Sequence, residues 1–259
     1  MLSDNLLEWL AVGVPLLWVL SIIAALAWEY GKTRYTLPQF PIWVVYLFYT
    51  RIVWRARVIG GFHVPENEGA IIVSNHVSSI DPLFIQLTTN RVVRWMVARE
   101  YSQDPMLKWI FDILGSITVN RGGVDAAATK RALRLAQQGE KVGLFPEGRI
   151  NVTDDLLLPG RPGVAMIALR ARVPVIPCFV FDAPYDGTPL GCFLMAAHTT
   201  VVIGEPIDLS AFYGREGDRE ALVEVTKIVL TEIARLSGQT GYVPKIAGRR
   251  WNPWLKATG

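Results

Sequence analysis

Ala70-Ile71-Ile72-Val73-Ser74-Asn75-His76-Val77-Ser78-Ser79-Ile80-Asp81-Pro82 reads as a strand, a loop and the start of a helix. The short apolar run at its head has the pattern of a buried strand. Asp81-Pro82 is a helix-start signal, with Asp as N-cap and Pro at the first helical position. His76 leaves the strand end and a carboxylate follows five residues later. If that carboxylate accepts one imidazole N–H, the other ring nitrogen can take a proton from a hydroxyl. The same residues also permit a plainer arrangement, in which Asp81 only caps the helix and His76 is an ordinary turn residue. The chain has three histidines, His63, His76 and His198, and only His76 has such a setting.

Working outward, short β-rich runs alternate with helical segments. The strand candidates are 69–74, 94–99, 117–120, 141–145, 173–181 and 199–204. The helix candidates are 82–89, 104–114, 124–139 and 162–172, followed by an amphipathic run over 219–236. This alternation predicts an α/β fold with a largely parallel central sheet covered by helices on both faces.

Two more clusters sit where strands should end, the place α/β folds put their sites, and a third lies within a strand. Phe145-Pro146-Glu147-Gly148-Arg149 follows Lys141-Val142-Gly143-Leu144. There Arg149 offers a bidentate fork to phosphate and Gly148 allows close backbone approach. Glu147 could bond a substrate hydroxyl or hold Arg149, and a solvated surface turn is the alternative. Gly115-Ser116-Ile117-Thr118-Val119-Asn120-Arg121 places another cation at a strand end. Val173-Pro174-Val175-Ile176-Pro177 is a proline-bracketed strand that could equally be plain core.

The chain has 259 residues, is 51% hydrophobic and only 19% charged, more apolar than an average soluble domain. Trp9–Trp28 carries no charge between its ends over twenty residues, enough to cross a hydrocarbon core of roughly 30 Å. A buried helix or a cleaved signal peptide is the alternative, but Asp4 and Glu8 give the wrong charge for a signal peptide. Pro15 and Gly13 leave open a bent helix seated in one leaflet. Thr36–Thr50 is a second uncharged, aromatic-rich run, too short to span. Lys32, Arg34, Arg51, Arg55 and Arg57 follow the first run, so the expectation is a cytoplasmic membrane with the catalytic body on its cytoplasmic face. Three parts are expected: a membrane-anchoring segment over 1–57, an α/β domain over 58–237 and a basic, aromatic tail over 238–259. The net charge of +3 is too small to argue for nucleic acid. Cys178 and Cys192 fit no metal or disulfide framework and read as buried thiols.

In their order, the four clusters at 75–81, 115–121, 145–149 and 173–177 resemble the blocks of the glycerolipid acyltransferase family. These blocks are NHxSxxD, G-x-x-x-x-x-R, FPEG and V-P-V-x-P. The resemblance covers about 58–210 and implies the following. His76 is the general base and Asp81 its partner. Arg121, Glu147, Gly148 and Arg149 bind the phosphate and glycerol of the acceptor. Asn75, Ser78 and Pro146 shape the site, and Pro177 belongs to the fourth block. The acyl donor is acyl-CoA or acyl-carrier protein, the acceptor is 1-acylglycerol-3-phosphate, and no metal or cofactor takes part. Apart from the resemblance, a thioester oxyanion needs donors, and backbone N–H groups near the Asp81-Pro82 helix start are candidates for them. The third block departs from the family's usual Thr-Arg-Ser continuation: Arg149-Ile150-Asn151 resembles enzymes acting on 2-acylglycerophosphoethanolamine, so lysophosphatidylethanolamine is an alternative acceptor. A non-catalytic membrane lipid-binding protein is the alternative of another class. A hydrolase lacks support, since no G-x-S-x-G elbow is present.

Overall fold

The computed structural model describes residues 4–120 and 125–248; Arg121, expected at the site, lies outside them, as does the tail from residue 249. The helices are α1 (Asp4–Gly31), α2 (Phe40–Phe48), α3 (Asp81–Gln86), α4 (Arg99–Ser102), α5 (Lys108–Leu114), α6 (Ala126–Gln137), α7 (Gly163–Ala171) and α8 (Arg219–Leu236). The strands are β1 (Arg57–Ile59), β2 (Ala70–Ser74), β3 (Val93–Ala98), β4 (Ile117–Val119), β5 (Lys141–Leu144), β6 (Val175–Phe181) and β7 (Thr200–Ile203). They form one sheet in the order β1-β7-β6-β2-β5-β3-β4. The five strands from β6 to β4 run parallel. β7 is antiparallel to β6, and β1 follows β7.

β2 is buried along its whole length because it is central, with β5 and β6 on either side. Its side chains alternate between two cores, as the pleat requires. Ile71 and Val73 face the layer of α6, α7 and α8. Ala70 and Ile72 face a second core holding Trp54, Phe84, Ile85 and Trp95. α8 buries Val225, Val229 and Ile233 on one stripe, and its N-cap Asp218 accepts the Glu220 N–H at 2.9 Å. Asp125 caps α6 through the Ala128 N–H at 2.9 Å.

Three local expectations change. The helix predicted over 82–89 closes at Gln86, whose side-chain amide turns back onto the Thr89 and Arg91 carbonyls and the Val93 N–H. The helix predicted over 104–114 begins only at Lys108 as α5, after a turn, and α4 at Arg99–Ser102 is an extra short helix ahead of it. β1 is an extra edge strand of three residues with no apolar alternation to announce it.

α1 is continuous through Pro15. Its stretch Trp9–Gly31 is 23 residues long, apolar and unburied, which makes it a candidate membrane anchor. Tyr30 meets Phe40 edge-on at 4.8 Å, and the chain then runs along α2 and a wide π-helical turn at Tyr49–Val53 into the core at Trp54. The second apolar run is therefore packed onto the sheet domain at its C-terminal end. At the other end of the chain, Gly160 pairs with Ile246.

Candidate active site

The parallel strands β2 and β5 end side by side, Val73 opposite Leu144. The loops that follow them carry His76 and the Phe145–Arg149 turn. The Asn75 side chain extends the β2–β6 pairing by one step. Its Nδ2 donates to the Val180 carbonyl at 2.9 Å and its Oδ1 accepts the Val180 N–H at 2.7 Å. The backbone of His76 is then held from the β5 side. Its N–H donates to Glu147 Oε1 at 2.8 Å, and its carbonyl accepts the Asn151 N–H at 2.6 Å. Ser78, fully buried, donates its hydroxyl to the Pro184 carbonyl at 2.6 Å.

Asp81 does not act as the expected N-cap. α3 begins at Asp81 itself, and Ile80 is the capping residue with no side-chain cap bond. The Asp81 carboxylate turns backward instead. Its Oδ2 accepts the N–H groups of Val77 at 2.7 Å and Ser78 at 2.9 Å, and lies 2.9 Å from His76 Nδ1. An oxygen already accepting two backbone donors is an acceptor toward the imidazole as well. Nδ1 therefore carries the proton, and Nε2 keeps its lone pair. These bonds also occupy two of the N–H groups near the helix start that were expected to serve an oxyanion. Asp81 is fully buried, while the His76 side chain keeps 14% of its surface exposed. The pair thus presents one basic nitrogen to incoming molecules.

The imidazole lies flat on the Phe145 ring, centroids 3.8 Å apart and 5° from parallel. Phe145 stacks in turn on Trp95 at 4.7 Å. This stack was not read from the sequence, because Trp95 belongs to β3 and only the strand order brings it beneath β5. Gly143 makes it possible: a Cβ there would stand 2.6 Å from the Trp95 ring. Gly143→Ala should therefore destabilise the fold by about 1–3 kcal/mol, the usual range for overpacking, and displace the stack under His76. Thermal denaturation together with kcat on the same variant measures both effects.

Glu147, expected to bind the acceptor, lies under the His76 loop. It is fully buried, and its oxygens accept the N–H groups of His76 at 2.8 Å and Leu158 at 2.7 Å. It is a brace under the His76 loop. Burial pushes its carboxyl up to about 8; the Asp81 charge adds to this, while the two backbone donors and Arg149 oppose it. Pro146 is buried beside it, and its carbonyl accepts the Arg161 N–H at 2.9 Å. Gly148 closes the turn with φ +70°, its N–H bonded to the Phe145 carbonyl at 3.0 Å. The Arg161 side chain crosses over it: a Cβ on Gly148 would lie 3.1 Å from Arg161 Nε. Arg161 is thus a second cation at the Arg149 turn. Its signal in the sequence was an arginine just ahead of α7. Pro177 lies inside the sheet, opposite Val73.

A family model described as Acyltransferase matches residues 55–180. The 1-acyl-sn-glycerol-3-phosphate acyltransferase of Bacillus subtilis (strain 168) is 24% identical over 187 residues, 71% of this chain and 88% of that protein. The protein of that name from Borreliella burgdorferi is 26% identical over 127 residues, 48% of this chain and 50% of its own. The alpha form from Mus musculus is 30% identical over 127 residues, 48% of this chain and 44% of its own. The matches to these last two span about half of each relative's length. The crystal structure of the 1-acyl-sn-glycerophosphate acyltransferase PlsC from Thermotoga maritima shares the fold, with a TM-score of 0.54 at 23% identity over 72% of this chain and 74% of that one. The family match ends at Val180, the residue whose backbone Asn75 clasps, and so encloses both sides of the His76 loop; together with the Bacillus subtilis relative it supports the glycerolipid acyltransferase family for this chain.

Proposed function

We propose that the protein transfers a fatty acyl chain from acyl-CoA or acyl-carrier protein to the free hydroxyl of 1-acylglycerol-3-phosphate, giving phosphatidic acid. The observation that carries this reading is the bond from His76 Nδ1 to the buried Asp81, which leaves Nε2 as a base with a fixed tautomer. The acceptor hydroxyl attacks the thioester carbonyl while His76 Nε2 takes its proton. The new C–O bond forms, the C–S bond breaks, and the proton passes from His76 to the departing thiolate. Asp81 stabilises the imidazolium between these steps. Arg149, with Arg121 as the resemblance implies, holds the phosphate so that the hydroxyl reaches Nε2. The step as written uses no metal or other cofactor. α1 holds the domain at the membrane where both amphiphiles reside, and the cations that follow it favour the cytoplasmic side.

A second acceptor, lysophosphatidylethanolamine, is raised by Arg149-Ile150-Asn151, which resembles the third block of enzymes acting on 2-acylglycerophosphoethanolamine. A panel of purified lysolipids, run with acyl-CoA and with acyl-carrier protein, separates the two. Lysophosphatidic acid should show the highest kcat/KM. A clear preference for the phosphodiester acceptor would overturn the first choice, and no transfer to any acceptor would favour a lipid-binding role.

A further inference from the structure

We propose that the loop tip at Leu190–Leu194, together with the exposed side of α2 and the π-helical turn, is a second lipid-docking surface that seats the catalytic end of the domain on an anionic bilayer. This rests on the acyl-transfer reading only in supposing that both substrates arrive from the membrane. Leu194 is 91% exposed, yet it does not sit on a loose loop. The turn Gly191–Leu194 is helical, and its Gly191 N–H donates to Thr188 Oγ1 at 2.9 Å. Phe193 points inward between Tyr49 and Trp54, with centroids at 5.1 and 5.5 Å. The Trp54 indole N–H holds the Met195 carbonyl at 3.1 Å. An ordered turn that buries one apolar side chain and turns the next outward has the form of a wedge. Beside it, Val45, Phe48 and Ile52 are each more than half exposed.

Three observations favour a lipid surface over a protein partner. The patch is continuous with the candidate anchor, from α1 through the Tyr30–Phe40 contact into α2. Arg51, Arg55 and Arg57 are exposed at the same place, as attraction to anionic headgroups requires. The topology puts the patch at the catalytic end. β6 is parallel to β2, so its loop leaves from the end where His76 sits. β7 returns from that end, and Arg57 pairs with Thr200 there. The loop is also tied to the catalytic one: Ser79 donates to the Pro189 carbonyl at 3.0 Å and Ser78 to Pro184 at 2.6 Å. Docking the wedge would therefore fix the height of His76 above the bilayer.

The test uses the full chain with one introduced thiol. The native Cys178 and Cys192 are buried and do not compete for label. Leu194→Cys and, at the opposite end of the sheet, the exposed Gln138→Cys are labelled with an environment-sensitive fluorophore. Both are mixed with phosphatidylcholine–phosphatidylglycerol vesicles whose acyl chains are brominated. The label at 194 should be quenched and that at 138 should not; no quenching at 194, or equal quenching at both, overturns the proposal. In kinetics, Leu194→Ser should raise the apparent KM for an acceptor presented in such vesicles by about tenfold. It should leave transfer to a short-chain monomeric acceptor unchanged, and an equal loss on both would count against docking. Failure of the acyl-transfer reading would show instead as an inactive wild type, on which the quenching result does not depend.

Discussion

His76→Ala is expected to slow acyl transfer by about 10²- to 10⁴-fold, the range a positioned general base contributes, while the protein stays folded and membrane-bound. The loss should fall on kcat, because the phosphate contacts assigned to Arg149 and Arg121 are untouched and KM for the acceptor should stay near its wild-type value. Stability should change little. The side chain gives up its stacking on Phe145, about 0.5–1.5 kcal/mol, and one bond to Asp81. Asp81 Oδ2 keeps its two backbone donors at Val77 and Ser78, which limits the cost of losing the imidazole. Thermal denaturation beside a radiolabelled acyl-transfer assay checks both halves. Full activity in this variant would remove His76 from the chemistry.

Glu147 should produce a different signature. Glu147→Ala leaves the N–H groups of His76 and Leu158 without partners, at about 1–3 kcal/mol for each buried donor. It also frees the loop that places the imidazole, where a shift of about 1 Å can cost 10²-fold in rate. If Glu147 bound glycerol, its replacement would raise the acceptor KM and spare stability. The brace predicts the reverse, a fall in kcat and in melting temperature with KM kept. The pH dependence has a definite sign. The folded-state value of about 8 lies above the ordinary carboxylate value, so the folded protein holds this proton more tightly than the unfolded chain. The associated stability is fully present below about 4.3 and is lost as pH rises through about 8. Wild type should therefore lose stability across that window, and Glu147→Gln should lose less, although its amide satisfies only one of the two N–H donors. Melting temperatures of both proteins from pH 4 to 9 read this directly.

Much of the architecture was legible because it is local. Apolar runs at 69–74, 141–145 and 173–181 became β2, β5 and β6, and the amphipathic run at 219–236 became α8 with those bounds. Runs of this kind carry their burial pattern with them, whatever they pair with. β1 was not legible, since three residues beginning with an arginine hold no periodicity. The cluster His76, Asp81, Phe145 and Arg149 was visible as types and spacing, but not as roles.

By itself the sequence determined the α/β class, the candidate anchor and the pairing of His76 with Asp81, because each is written in contiguous residues: strand, loop and helix start in one run, apolar residues in another. Only the tertiary structure decided that Asp81 turns back to the loop rather than forward to its helix, and that Glu147 braces His76 from 71 residues away. It alone placed Trp95 beneath Phe145 and tied the Leu194 loop to Ser79 across 110 residues. The physical reason is that local periodicity specifies which face of an element is buried. The order of strands in the sheet, a long-range choice, specifies what that face and each loop will touch.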